Sequence, residues 1–284
     1  MSPSLKGKNA IITGGSRGIG FSISQQLVSE GAKVVICSRT KSDLKKALKL
    51  LNEKETVAYG KVCDISKLSG CKKLIKFSQG KLNRIDILVN NAGIYGPIGP
   101  FEKTDLKFWR KTIEINLLGM VYLTHLIIPL MKKIGSGKII NLCGGGVGGS
   151  NVKPRISAYF TSKIAIAGFS EALAEELKDV NIQVNSISPG AANTYLNDYL
   201  LKQGPIKAGK EFYEQSLKQK KEGGTPLEFA SQLVAFLAST RSDHISGRLL
   251  SAKWNPPNEL KNIKFNQSLY KLRRIDQQSY YEKK

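Results

Sequence analysis

An alternation of strands and helices is the feature of this sequence that most constrains its fold. Ala10–Thr13 and Lys33–Cys37 are predicted strands, and Gly20–Glu30 is the predicted helix between them. The pattern continues with strands at Val57–Cys63, Ile85–Val89, Lys138–Leu142, Gln183–Ile187 and Leu249–Ala252, and with helices at Leu68–Gln79, Leu106–Lys133 and Ala158–Lys178. Alternation at this spacing predicts an α/β fold, a single doubly wound parallel sheet with helices on both faces.

The chain of 284 residues is long enough for one large domain with a well-buried core. We assign residues 1–254 to this domain, and residues 255–284, which are hydrophilic and basic, to a C-terminal extension. A polar segment at about 193–224 is bounded by Pro189-Gly190 and Gly223-Gly224. Ligands of doubly wound sheets bind beyond the carboxyl ends of the strands, so this segment is a candidate substrate lid.

Composition argues against several classes of protein. No stretch reaches about 18 uninterrupted apolar residues, so no membrane span is expected. The first residues, Met1 to Lys8, lack the apolar segment of a signal peptide. The cysteines have neither paired metal-ligand spacing nor the density of a disulfide framework; they are Cys37, Cys63, Cys71 and Cys143. These features predict a cytoplasmic protein with reduced, buried thiols and no bound metal.

The formal net charge of +22 admits three interpretations. The charge can belong to a lysine-rich solvated surface, it can steer anionic small molecules toward the protein, or it can bind the phosphates of a nucleic acid. Only nine of the 44 basic residues are arginine, and no basic segment is interleaved with aromatic residues. A solvated surface is therefore preferred, and a nucleic-acid partner is the least favoured interpretation.

A glycine-rich segment follows the first predicted strand directly. It reads Thr13-Gly14-Gly15-Ser16-Arg17-Gly18-Ile19-Gly20 and leads into the first helix. Glycines let the backbone turn tightly and approach a pyrophosphate without an intervening Cβ. The helix N-terminus offers free N–H groups and a positive dipole end. Between a strand and a helix, this segment predicts a dinucleotide-binding loop in a Rossmann-type fold.

Tyr159 and Lys163 are four residues apart on a predicted helix and therefore share one face. An ammonium group beside a phenol favours the phenolate, so we expect Lys163 to lower the pKa of Tyr159. A phenol tuned in this way exchanges protons in alcohol and carbonyl chemistry. The pair alone is also compatible with a solvated helix face, and the upstream glycine loop is what favours the catalytic interpretation.

Together these segments resemble the single-domain branch of the short-chain dehydrogenase/reductase family. The matching features are the Gly-x-x-x-Gly-x-Gly spacing, the Tyr159/Lys163 pair, Asn90-Asn91-Ala92-Gly93, Asn116 in a central helix and Pro189-Gly190. The resemblance extends from about Leu5 to Ala252. It implies an oxidoreductase that interconverts an alcohol and a carbonyl on a small-molecule substrate. It also implies a homodimer or homotetramer with contacts through the helices Leu106–Lys133 and Ala158–Lys178.

The resemblance assigns roles to individual residues. The catalytic residues are Tyr159, which exchanges a proton with the substrate oxygen, Lys163, which binds the nicotinamide ribose, and Asn116, which holds a water of the proton relay or merely kinks its helix. The cofactor-binding residues are Gly14, Ser16, Arg17, Gly18, Ile19, Gly20, Ser38, Arg39, Asp64, Ile65, Asn90, Ala92, Gly93, Tyr159, Lys163, Pro189, Gly190 and Thr194. Of these, Asp64 is expected at the adenine and Thr194 at the nicotinamide carboxamide.

The end of the second strand predicts which cofactor is preferred. An acidic side chain there binds the adenosine 2′-hydroxyl and repels a 2′-phosphate, but this chain has Cys37-Ser38-Arg39-Thr40. Ser38 can donate to a phosphate, and Arg39 and Arg17 can form charge-assisted hydrogen bonds to it. We therefore expect NADP(H) to be preferred over NAD(H); the alternative is that both arginines are surface charges.

One residue of the family pattern is missing. After the strand Lys138–Leu142, relatives carry a serine that hydrogen-bonds the reacting oxygen. Here that position falls on Gly144 or, counted back from Tyr159, on Gly146. We place Gly144, Gly145 and Ser150 in the substrate pocket. Either a substrate hydroxyl, a water or Ser150 replaces the donor, or the glycines make room for a bulky substrate, or the protein binds its cofactor without efficient turnover.

The glycine-rich variant at residues 144–149, with Leu272-Arg273-Arg274-Ile275 in the tail, resembles short-chain dehydrogenases of bacterial surface-polysaccharide biosynthesis. This resemblance implies a sugar or sugar-nucleotide substrate. The complete set of Tyr159, Lys163 and Asn116 favours an active enzyme. The alternatives are a non-catalytic or weakly active NADP-binding sensor or scaffold, and a basic nucleic-acid-binding protein.

Overall fold

The computed structural model describes residues 4–144, 146–148, 152–266 and 269–272. Within them one sheet contains seven strands: β1 (Asn9–Thr13), β2 (Lys33–Ser38), β3 (Ala58–Val62), β4 (Ile87–Asn90), β5 (Gly137–Leu142), β6 (Ile182–Ser188) and β7 (Leu249–Ser251). Their spatial order is β3-β2-β1-β4-β5-β6-β7, and every neighbouring pair is parallel. The predicted doubly wound parallel sheet is confirmed, and each predicted strand overlaps an observed one.

Strand β1 shows why the sheet is buried on both faces. Successive side chains of a strand point to opposite faces. Ala10 and Ile12 accordingly pack into the apolar core on one side of the sheet, and Ile11 packs into the core on the other side. All three side chains are fully buried. A short run of consecutive apolar residues is therefore what a strand covered by helices on both faces requires.

The α-helices of the described residues are α1 (Gly18–Ser29), α2 (Lys41–Leu51), α3 (Leu68–Lys81), α4 (Leu106–Ile113), α5 (Gly119–Ile134), α6 (Ser157–Glu176), α7 (Tyr195–Ala208), α8 (Lys210–Glu222), α9 (Leu227–Ala238) and α10 (Pro257–Leu260). Helix α5 ends where Gly135 takes a left-handed conformation with φ 79°, and the Gly135 N–H donates to the Met131 carbonyl. A π-helical turn, Glu114–Leu118, joins α4 to α5, so the two continue one long helix as predicted.

The strand order reverses at β1, and this reversal positions the site. The chain moves outward from β1 to β3 and then returns to the other side of β1 as β4. The connections that follow β1 and β4 therefore leave the sheet in different directions, which opens a crevice at the carboxyl ends of the two strands. The glycine loop follows β1, and Asn91-Ala92-Gly93 follows β4, so both segments border this crevice.

The continuous helix Leu106–Ile134 is long and apolar enough to cross a membrane by length and composition alone. Its most apolar 18 residues have a mean hydropathy of 1.6, and 39% of them are buried. Buried core helices of folded domains can be equally long and apolar. Here the buried side chains, including Leu123 and Ile127, pack into the core beside α3. Packing against the sheet therefore accounts for one face of this helix.

The polar segment at 193–224 folds largely into α7 and α8. Gly204, with φ 75°, interrupts the helical conformation within α7. Arg155 donates a hydrogen bond to the Ile206 carbonyl near the end of α7, and Lys153 donates to Gln215 of α8 at 2.7 Å. These two basic side chains tie the candidate lid to the loop that precedes α6.

Part of the C-terminal extension packs against the domain. Leu260 of α10 is fully buried in the core that also contains α9. The Leu249 N–H of β7 donates to the Tyr270 carbonyl at 2.7 Å, and Arg248 donates to the Leu269 carbonyl at 2.7 Å. The extension therefore covers the edge of the sheet at β7, which its polar composition did not indicate.

Candidate active site

The glycine loop closes tightly over the carboxyl end of β1. Gly14 and Gly18 have positive φ angles of 64° and 53°, which favour glycine. A Cβ on residue 20 would lie 2.3 Å from the Gly14 carbonyl oxygen. The loop and α1 can pack this closely only because Gly20 has no side chain. The Arg17 side chain does not cap α1, so the first N–H groups of the helix are left for a ligand.

A cleft of about 520 Å³ occupies the crevice beside this loop. The predicted cofactor-binding residues that line it are Gly14, Ser16, Arg17, Gly18, Ile19, Gly20, Ser38, Arg39, Asp64, Ile65, Ala92, Gly93 and Thr194. Those that do not line it are Asn90, Tyr159, Lys163, Pro189 and Gly190. Lining residues that the sequence did not indicate include Asn91, Ile94, Tyr95, Phe108, Lys111, Ile115, Tyr195, Leu196 and Tyr199. Most of these lie on α4, α7 or the loop after β4, which meet only in the folded chain.

Basic and hydroxyl groups gather where β2 ends at the cleft. Arg39 lines the cleft, and Arg17 lies over the Tyr195 ring, 4.1 Å from its centroid. The Arg17 guanidinium is also 3.7 Å from the Asp43 carboxylate. The Ser38 hydroxyl accepts a backbone N–H at 3.2 Å, which leaves its proton for a ligand. This end of the cleft can therefore receive an anionic group.

Asp64 follows β3 with its carboxylate held by Ser66. The Ser66 N–H and hydroxyl donate to it at 3.0 and 2.8 Å. Partial burial opposes ionisation, but these hydrogen bonds and the charges of Lys111 and Arg39 outweigh it and hold the pKa of Asp64 below its usual value. The Asp64 carboxylate is therefore an acceptor on the cleft wall, which suits an adenine amino group.

Asn90 and Asn91 point in different directions. Asn91 lines the cleft and donates to the Thr13 and Gly14 carbonyls at 2.9 and 3.2 Å. Asn90 is buried away from the cleft and donates to Asn141 at 2.8 Å. Successive side chains of extended chain point to opposite faces, so only one of the two reaches the cleft. The structure thus puts Asn91 where the sequence expected Asn90.

Pro189-Gly190 turns the chain from β6 toward α7 without reaching the cleft. Gly190 has φ 88°, and a Cβ there would lie 2.6 Å from the Thr225 hydroxyl oxygen. Thr194, which precedes α7, does line the cleft. Its side chain lies 3.4 Å from the position of a Cβ on Gly18, so the two predicted loops meet across the cleft.

Asn116 lies in the π-helical turn between α4 and α5. Its side-chain oxygen accepts the Ile94 N–H at 2.9 Å, and its amide donates to the Ile94 carbonyl at 2.9 Å and to the Ser162 hydroxyl at 3.0 Å. Asn116 therefore ties the loop after β4 to α6, the helix of Tyr159 and Lys163. Single π-helical turns inside α-helices are frequent at functional sites.

Lys163 is buried directly behind the cleft wall. Its ammonium donates to the Leu142 carbonyl at 2.7 Å. A Cβ on Gly93, which lines the cleft, would lie 3.5 Å from the Lys163 nitrogen and 3.3 Å from the Asn116 oxygen. Burial disfavours the charged amine and lowers the pKa of Lys163 to about 8. The absence of a side chain at Gly93 therefore lets this cleft-lining residue pack closely on the Lys163 amine.

Tyr159 lies beside Lys163 and behind Tyr95. The Lys163 nitrogen is 5.6 Å from the centroid of the Tyr159 ring, and the Tyr95 ring packs against Tyr159 edge to face at 4.7 Å between centroids. Burial, followed by the neighbouring Tyr95 and Cys143, raises the pKa of Tyr159 above its usual value. The expected lowering by Lys163 is wrong for this arrangement, because desolvation dominates and the amine donates to a backbone carbonyl instead.

Gly144 provides the space that the Tyr159 hydroxyl occupies. A Cβ on residue 144 would lie 2.8 Å from the Tyr159 hydroxyl oxygen and 3.0 Å from Cγ of Lys163. A serine therefore does not fit at position 144 unless Tyr159 moves. Gly146, the alternative serine position, has φ 93°. The other two residues assigned to the substrate pocket, Gly145 and Ser150, lie outside the described residues.

Comparisons with known proteins agree with this geometry. A model of the short chain dehydrogenase family matches residues 8–204. The dehydrogenase/reductase SDR family member 4 of Caenorhabditis elegans is 34% identical over 247 residues, which cover 87% of this chain and 94% of that protein. The protein of the same name from Mus musculus is 29% identical over 256 residues, covering 90% of this chain and 89% of that protein.

Solved structures share the whole architecture. NAD+-bound xylitol dehydrogenase superposes with a TM-score of 0.79 at 25% identity, covering 87% of this chain and 98% of that one. Actinorhodin polyketide ketoreductase with NADPH superposes with a TM-score of 0.77 at 25% identity, covering 93% of this chain and all of that one. The family match, the strand order and the tyrosine, lysine and asparagine cluster all agree: the chain belongs to the short-chain dehydrogenase family of oxidoreductases.

Proposed function

We propose that this protein is an NADP(H)-preferring oxidoreductase that interconverts an alcohol and a carbonyl on a small molecule. The observation that carries the proposal is that Tyr159, Lys163 and Asn116 meet behind Gly93, at the wall of the cleft. The glycine loop, the uncapped N-terminus of α1 and the basic end of the cleft fit a dinucleotide. A bound nicotinamide would supply or accept the hydride, and the residues of this chain orient the reactants and move the proton.

Tyr159 is the proton donor in this proposal. Its raised pKa keeps the hydroxyl protonated at neutral pH, which is the state that donates to the oxygen of a carbonyl under reduction. The Lys163 amine, with a pKa of about 8, is mostly charged at neutral pH and packs against Gly93, which lines the cleft. Asn116 positions both residues by joining α6 to the loop after β4.

The preference for NADP(H) is supported by the side chains at the end of β2. Ser38, Arg39 and Arg17 line the cleft there, and residues 38–40 include no carboxylate. The solved relatives hold either NAD+ or NADPH, so membership of the family does not decide the preference. The charge-assisted hydrogen bonds that a guanidinium can form to a 2′-phosphate are what favour NADP(H).

Replacing Arg39 with alanine is expected to weaken NADP binding about 10- to 100-fold, the equivalent of roughly 1.5–3 kcal/mol for a charge-assisted hydrogen bond. NAD binding should change by less than about twofold, because NAD has no 2′-phosphate for the guanidinium to contact. Calorimetric titration with both cofactors measures the two losses. Lys49→Ala is the matched control, since Lys49 is exposed on α2 and does not line the cleft. Equal losses for the two cofactors would contradict the assignment.

Turnover by the purified protein tests the proposed reaction. The panel contains aldehydes, ketones, sugars and nucleotide sugars, with the nucleotide sugars first because of the glycine-rich segment after β5. We expect cofactor oxidation or reduction, followed by absorbance, with at least one member of the panel. NADP binding without turnover on every member would favour the second candidate, a non-catalytic NADP-binding sensor, which the glycine at position 144 supports.

We further propose a cytoplasmic homodimer or homotetramer. The π-helical turn and helices α5 and α6 leave apolar side chains partly exposed, among them Leu117, Val121 and Ile164. A second copy of the chain that packs on these helices would bury them. The same contact would account for the apolar face of Leu106–Ile134 that the sheet does not cover.

A further inference from the structure

The family resemblance implies a second hydrogen-bond donor to the substrate oxygen, beside Tyr159. A preorganised donor of this kind is worth a factor of about 100 to 1,000 in kcat. The donor cannot be a residue 144 side chain, because a Cβ there would collide with the Tyr159 hydroxyl at 2.8 Å. The candidate donors are therefore the other polar groups around Tyr159.

Most of these polar groups already form hydrogen bonds within the protein. The Ser162 hydroxyl donates to the Tyr159 carbonyl at 2.6 Å and accepts from the Asn116 amide. The Asn116 side chain is also paired with the backbone of Ile94 on both of its polar ends. The Lys163 amine donates to a backbone carbonyl. A group held in this way cannot also donate to a substrate without giving up its present bond.

Tyr95 differs from these groups. It lines the cleft, whereas Tyr159 lies behind it, and the two rings are in edge-to-face contact at 4.7 Å and 62°. The Tyr95 hydroxyl has no hydrogen-bond partner among the described residues. Burial raises the pKa of Tyr95 to about 12, so its hydroxyl stays protonated at neutral pH. The ring contact places the two phenol groups beside each other, and Tyr95 disfavours the ionisation of Tyr159 and so contributes to its raised pKa.

We propose that Tyr95 is a further catalytic residue, whose hydroxyl takes the place of the missing serine and hydrogen-bonds the substrate oxygen beside Tyr159. The inference rests on the proposed function. During carbonyl reduction the Tyr159 proton moves to the oxygen, while Tyr95 donates a hydrogen bond and keeps its own proton. Gly144 is then part of the same arrangement, because it lets the Tyr159 hydroxyl occupy the space that a serine would take. Cys143 and Lys163 are the other titratable groups that face Tyr159.

The first test needs no substrate. In protein with carbon-13 at the tyrosine Cζ, the Tyr159 resonance is assigned with Tyr159→Phe and compared at neutral pH in the unmodified protein, in Tyr95→Phe and in Tyr213→Phe. The Tyr95 ring lies against the Tyr159 ring, so we expect Tyr95→Phe to shift the Tyr159 resonance by more than Tyr213→Phe does. A Tyr159 resonance that Tyr95→Phe leaves unchanged would overturn the inference.

The second test is kinetic and uses the panel compound with the highest kcat/KM. Tyr95→Phe keeps the ring, so the NADPH affinity and the unfolding midpoint should not change, but kcat should fall about 100-fold. Tyr213→Phe is the matched control, since Tyr213 packs in the same apolar cluster and does not line the cleft. A kcat within about threefold of the unmodified protein, or a rise in KM alone, would overturn the role.

The two tests separate this inference from the proposed function. Full activity of Tyr95→Phe together with an inactive Tyr159→Phe would remove Tyr95 from the mechanism and leave the proposed reaction standing. An unmodified protein without turnover would remove both the proposed reaction and the role of Tyr95, even where the resonance shift shows that the two phenol rings are neighbours.

Discussion

Tyr159→Phe is expected to lower kcat by about 100- to 10,000-fold, the range that a positioned acid–base group contributes. The substitution removes only the hydroxyl that moves the proton. The ring remains and keeps its edge-to-face contact with Tyr95, so the fold should be retained. Because phenylalanine keeps the ring and removes only the hydroxyl, the affinity for NADPH should stay within about twofold. Steady-state kinetics and calorimetric titration measure the two quantities separately.

The control for this experiment is again Tyr213→Phe, which makes the same chemical change in the same apolar cluster. A loss of kcat in both variants would indicate general damage to the packing around α7 and α8. Turnover that survives Tyr159→Phe unchanged would show that another group moves the proton, and the proposed mechanism would have to be abandoned.

Gly20→Ala is expected to disrupt the nucleotide loop. The added Cβ would lie 2.3 Å from the Gly14 carbonyl oxygen and 2.4 Å from the Asn91 side-chain nitrogen. The first of these is backbone and cannot swing aside, so either the loop or α1 must shift. We expect the free energy of unfolding to fall by about 1–3 kcal/mol. We also expect cofactor affinity to fall by at least about tenfold, because the shifted loop no longer presents its N–H groups to the phosphates.

Gly80→Ala provides the opposite outcome as a control. Gly80 is exposed in α3, and no atom lies within 4 Å of the position its Cβ would take. Alanine there should raise the free energy of unfolding by up to about 1 kcal/mol, because it restricts the unfolded chain and favours the helix. Urea unfolding of the two variants measures both changes. A Gly20→Ala protein as stable as Gly80→Ala would show that the contact with Gly14 is not as close as described.

Local patterns in the sequence were sufficient to predict the architecture of the fold. The alternation of apolar runs and helical segments predicts every strand of the described sheet to within a few residues, because strand and helix periodicities depend on neighbours in the chain. The glycine loop could be placed for the same reason. Its function depends on a strand, a tight turn and a helix that follow one another directly.

The assignment of individual side chains to the cleft was less complete. Asn91 rather than Asn90 lines the cleft, and Tyr95, which packs against Tyr159, lines it as well. Which member of a pair such as Asn90-Asn91 points to the cleft depends on the exact residue at which β4 ends. The lowered pKa expected for Tyr159 failed for a related reason, since helical spacing reports that Lys163 is near but not how much water surrounds the phenol.

The sequence by itself determined the order and type of the secondary-structure elements and the family, because both depend on short segments of consecutive residues. The tertiary structure decided whether a methyl group at Gly20 or Gly80 is harmful, which phenol faces the cleft, and that the polar C-terminal extension covers the edge strand β7. These properties depend on atoms that are distant in the chain and adjacent in space. A local sequence pattern carries no information on distances between such atoms. These properties therefore become known only from the packed arrangement of the sheet and its helices.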